Sequence, residues 1–78
     1  MKPQETKEHL AQAERHVALG AKYVARQREI IGELERDGQD AGQAWSLLAL
    51  FEQVQAIHVV GRDRLLRDLE QQGGPTRA

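Results

Sequence analysis

Few side chains in this chain can do chemistry. His9, His16 and Tyr23 recur at seven-residue intervals in the first half, and His58 stands alone in the second. Imidazole and phenol together suit a metal ion or a small cofactor. On a helix, residues seven apart share a face but sit about 10.5 Å apart along the axis. One ion with bonds of about 2 Å cannot span that gap. The spacing used by carboxylate-bridged bundles, a Glu three residues before a His, does not occur here. The remaining possibility is His16 with His58, brought together from opposite halves of the chain with Tyr23 beside them. Against this metal- or cofactor-binding reading stands a simpler one, in which these residues form the edge of a packing seam and no metal, cofactor or catalytic residue is present. The other hydroxyls, Thr6, Ser46 and Thr76, have no base near them in sequence, and "QQGGPT" lacks the strand and helix that frame a phosphate loop. The expectation is a protein that is not an enzyme.

The elements that must position these residues are helices. Leu10, Ala13, Val17, Gly20, Val24, Gln27, Ile31 and Leu34 alternate in steps of three and four, a heptad seam with one polar member. Pro3 suits the first turn of that helix, and Glu5 and Glu8 sit where its dipole favours acids. "ERDGQDAGQ" closes it: Gly38 accepts a left-handed conformation, and Asp40 can cap a second helix. There Leu47, Phe51, Val54, His58, Gly61 and Leu65 repeat the alternation, flanked by further apolar residues that make this face broader than the first. The expected organisation is one domain over 1–78: a helix over about 4–36, a turn at 37–39, a helix over about 40–72 and a disordered tail at 73–78.

So short a turn requires antiparallel helices, hence an all-α two-helix hairpin. With the turn centred near Gly38, His16 should face Gly61 and His58 a point between Leu19 and Gly20, bulk on one helix filling space left by a glycine on the other. Two helices cover only one side of each other, so the broad second face calls for a four-helix homodimer. Its expected interface is Leu10, Val17, Val24, Ile31, Leu47, Phe51, Val54, Ile57 and Leu65. Charge supports an antiparallel arrangement. From 27 to 53 there are two bases and six acids, a net of −4, and since the whole chain carries −1, the rest carries +3. The turn end is therefore acidic and the open end basic, and two hairpins packed head to tail match acid to base at both ends.

Composition narrows the function classes. The chain has 78 residues, three aromatic side chains and no cysteine, so it has no disulfide or thiolate chemistry, and its core is small enough to favour a partner. A net charge of −1 provides no field for nucleic acid, and the arginines of "GRDRLLRDL" are interrupted by Asp63 and Asp68, with Asp63 and Arg67 spaced as a surface ion pair. No stretch approaches the roughly 20 apolar residues of a membrane span. Neither nucleic acid nor membrane is expected as a partner, and the cytoplasm is the expected location.

A further protein partner has two docking candidates. Trp45, just inside the second helix, is either a cap on the end of the bundle or an exposed anchor. "DGQDA" resembles the acidic Asp-x-x-Asp-x-Ala tip of coiled-coil factors that enter the secondary channel of bacterial RNA polymerase, with the alanine one residue early. That resemblance implies an adaptor docking through Asp37 and Asp40. Over most of its length, from "HLAQAERHVALG" to "GRDRLLRDL", the chain is similar to a group of short bacterial helical-hairpin proteins with no established activity. This implies the fold and brings no functional residues with it. The leading expectation is a non-enzymatic interaction or regulatory module acting as a homodimeric helical bundle.

Overall fold

The computed structural model describes residues 2–73 as two helices, α1 (Pro3–Arg36) and α2 (Gly42–Gly73), packed against each other as a hairpin. The tail expected over 73–78 lies, apart from Gly73, outside the described residues.

Local chemistry sets the helix ends. Lys2 is extended (φ −70°, ψ 145°) and Pro3 opens α1, where its missing N–H costs no helical bond. At the other end the Gln39 N–H donates to the Leu34 carbonyl at 2.9 Å and the Gly38 N–H to Glu35 at 3.1 Å, with Gly38 at φ +71°. This nested pair of bonds around a left-handed glycine satisfies carbonyls that the helix end would otherwise leave open. The Asp40 carboxylate accepts the Gly42 N–H at 2.8 Å, and the Ala41 carbonyl accepts the first helical bond, from the Trp45 N–H at 2.9 Å. Ala41 is thus the residue that opens α2, with Asp40 acting from one position before it. The second helix begins later than the sequence suggests because reversing the chain consumes residues as far as 41.

Each of Leu10, Ala13, Val17, Gly20, Val24, Gln27, Ile31 and Leu34 is buried or half-buried, so α1 presents the seam its periodicity predicts. Facing it are Ala41, just before α2, and Ala44, Leu48, Phe51, Gln55, His58, Arg62 and Leu65 on α2. Phe51, His58 and Leu65 belong to the expected face, but Leu48, Gln55 and Arg62 replace Leu47, Val54 and Gly61, which are exposed. α2 is therefore rotated about its axis relative to the expectation. Ile31, Ala41 and Leu48 form the buried core, and Val24, Leu34 and Ala44 pack on it, all in the turn half of the hairpin. The small side chains of Ala41 and Ala44 bring the helices close enough for the Gln27 amide, only 5% exposed, to donate to the Ala44 carbonyl at 2.9 Å. At the open end the Gln72 amide donates to the Thr6 hydroxyl at 3.0 Å, and that hydroxyl donates to the Lys2 carbonyl at 3.2 Å. Among the described residues no helix is long and apolar enough to cross a membrane.

Replacing Gly38 with Ala puts a Cβ on a left-handed backbone and is expected to cost about 1–2 kcal/mol. Gln27→Ala removes a buried hydrogen bond between the helices and is expected to cost about 1 kcal/mol. Urea unfolding followed by circular dichroism measures both, with the denaturant slope unchanged.

Candidate functional site

The hairpin has two unlike flanks. On one, Arg28 bridges to Glu52 of the other helix at 2.6 Å, and seven residues along each helix the Trp45 indole N–H donates to Glu35 at 3.3 Å. Polar groups thus finish that flank, although exposed ion pairs of this kind add little stability.

The other flank is apolar. A groove of about 280 Å³ runs between the helices, lined from α1 by His16, Leu19, Gly20 and Tyr23 and from α2 by Leu50, Phe51, Val54, Gln55 and His58. Two ring contacts bridge the helices along it. The His16 and His58 rings lie 5.3 Å apart, tilted by 47°, and the Tyr23 and Phe51 rings lie 6.1 Å apart, tilted by 31°. Both separations fall in the range of favourable ring pairs.

These contacts revise the pairing drawn from the turn. His16 meets His58, not Gly61, and among the described residues no atom of α1 approaches within 4 Å of where a Gly61 Cβ would stand. Gly20 receives Gln55, whose carboxamide a Cβ there would overlap. On this flank the partners are shifted by about three residues, because side-chain rows are inclined to the helix axis and a step around the helix is also a step along it. The Gln55 amide donates to the Val17 carbonyl at 2.8 Å. Its buried Oε1 has no hydrogen-bond partner and lies instead against the Gly20 Cα–H, a weak polar contact.

Above the groove α2 carries a second seam. Leu47, Leu50, Val54, Ile57 and Gly61 are spaced three, four, three and four, and all five are exposed, Leu50 at 52% and Ile57 at 66%. The residues expected at a dimer interface therefore fall into two groups. Leu10, Val17, Val24, Ile31, Phe51 and Leu65 are buried or half-buried along the contact between the two helices of one chain, while Leu47, Val54 and Ile57 are on the outer seam. Leu50 and the α1 rim residues Leu19 and Tyr23 also lie on this side and have no counterpart in that expectation; of the three, the sequence singles out Tyr23 alone.

The remaining candidates are dispersed. His16 and His58 are together, and Tyr23 lines the same groove, but among the described residues no three His, Cys, Asp or Glu side chains cluster to hold a metal. Asp37 follows the last residue of α1, Asp40 is engaged with the Gly42 N–H, and both are exposed at the tip. Trp45 is 52% exposed on the polar flank. Asp63 pairs with its neighbour Arg62 at 3.0 Å, not with Arg67. Comparison of the chain with protein-family models, with curated proteins and with solved structures finds no match.

Replacing Gly20 with Ala should bring about 1 kcal/mol of helix propensity, offset by expulsion of the Gln55 carboxamide and loss of its bond to Val17. In a Gln55→Ala background the same change should stabilise. A double-mutant cycle by urea unfolding is expected to give a coupling of about 1 kcal/mol between the two sites.

Proposed function

We propose that this chain is a non-enzymatic protein-protein interaction module that acts as a homodimer, two hairpins closing their apolar flanks into an antiparallel four-helix bundle. The observation that carries this reading is the second seam of α2, with Leu47, Leu50, Val54 and Ile57 all exposed in a heptad alternation that α1 does not cover. Burying a large apolar side chain is worth about 1.5–3 kcal/mol, so a stripe of four gives a strong reason to associate. Its spacing is that of helix-on-helix packing, which points to another helix as the complement. The division of charge, −4 from 27 to 53 and +3 elsewhere, supports the antiparallel orientation. Trp45, exposed on the opposite flank, stays outside this interface and is available to a further protein.

Ile57 is the most exposed member of the stripe, so Ile57→Asp should leave the isolated hairpin intact while placing a charge in the dimer core. Sedimentation equilibrium should find the parent chain at about twice 8.8 kDa and the variant at 8.8 kDa, with equal helicity by circular dichroism. A parent chain at 8.8 kDa, or a variant as dimeric as the parent, would refute the reading.

A further inference from the structure

Of Gly42 and Gly61 in α2, Gly61 is the one that the hairpin does not explain. It stands in the interior of a helix, where glycine costs about 1 kcal/mol relative to alanine. Its backbone does not have a positive φ, and apart from its chain neighbours and the adjoining turns of its own helix backbone no described atom comes within 4 Å of its missing Cβ. Gly20 differs, because its space is filled by Gln55. Gly61 is also the last member of the outer seam, and Leu47, the large side chain at the other end, is as far before Val54 as Gly61 is after it.

That symmetry has a geometric consequence. We infer that α2 packs antiparallel on α2 of a second copy of this chain about a two-fold axis at Val54, with Leu47 of each copy seated over Gly61 of the other. The inference rests on the dimer reading above and adds its axis and register. Val54 then meets its own symmetry mate, Leu50 meets the partner's Ile57, and the long side chain at one end of the stripe fills the gap at the other. Leu50 and Val54 also line the groove, so the partner's helix lies over the His16 and Tyr23 rim. A parallel pair would instead set Gly61 on Gly61, leaving a hole at one end of the stripe, and acidic tip on acidic tip. The antiparallel register carries each tip, with Glu33, Glu35, Asp37 and Asp40, along the partner's Arg64 and Arg67. It also brings Asp40 to the partner's Asp68, which those two arginines flank. α1 contributes less to the contact because its outer row, His16, Leu19, Tyr23 and Arg26, is interrupted by polar groups.

The chain has no cysteine, so an introduced thiol is unique. Under a glutathione redox buffer, Val54→Cys should form a covalent dimer at least tenfold faster than Leu47→Cys, whose two thiols would be about 21 Å apart along the axis. The Leu47→Cys, Gly61→Cys double variant should crosslink as readily as Val54→Cys. Without cysteines, Gly61→Leu should weaken the dimer at least tenfold by sedimentation, and adding Leu47→Gly should restore it, since the swap re-creates the same pairing on the two-fold axis. Circular dichroism checks that each variant remains helical. Equal crosslinking of the two single variants would overturn the register in favour of a parallel pair. A parent chain that sediments as a dimer while Val54→Cys fails to crosslink would overturn the register and leave the dimer standing, whereas a monomeric parent chain would overturn both.

Discussion

A straight helix can cover only one side of its neighbour, and α2 has two apolar sides. The rest of the structure follows from that mismatch. One α2 face, Ala44 through Leu65, meets the seam of α1 and, with Ala41 just before it, forms the core in the turn half of the hairpin. The other, Leu47 through Gly61, is left exposed by the hairpin. The polar flank shows how the chain finishes a surface meant for water, with Arg28 on Glu52 and Trp45 on Glu35. The apolar flank has no such finish. Its groove is lined by rings and aliphatic side chains, and the two imidazoles are turned toward each other.

Which α2 face goes inward is decided less by hydrophobicity than by fit. Val54 is more apolar than Gln55, yet Gln55 faces α1 because its carboxamide occupies the space above Gly20 and its N–H reaches the Val17 carbonyl. Gln27 does the same from the other helix, using the space that Ala44 leaves. Gln72 with Thr6 closes the open end. Three glutamines thus bond across the hairpin at three levels. Buried polar groups of this kind restrict register, because any slip would leave an amide or a carbonyl without its partner.

The fold was legible in the sequence because its signals are local. The three-four alternation of α1, Gly38 as a left-handed stop and the single short turn each predict the structure from a handful of adjacent residues. The rotation of α2 was not legible. Leu47 and Leu48 are equally apolar, and the contest between Val54 and Gln55 depends on what stands across from them, which spacing along one helix does not reveal. For the same reason the pairing of His16 was misplaced by about three residues, nearly one turn. Of the candidate site, the breadth of the α2 face and the row through His16 and Tyr23 were visible. That Leu47, Val54 and Ile57 would lie apart from Phe51 and Leu65 required knowledge of the rotation.

If the second seam of α2 exists to be covered by another copy, folding and association are linked, and the stability of the chain must depend on its concentration. The most direct measurement is thermal unfolding by circular dichroism across a hundredfold range of protein concentration. A midpoint that rises steadily with concentration, with unfolding in one step, is the result expected of an obligate four-helix dimer. A midpoint that does not move across the range would contradict it and show that the hairpin stands alone with its apolar flank open.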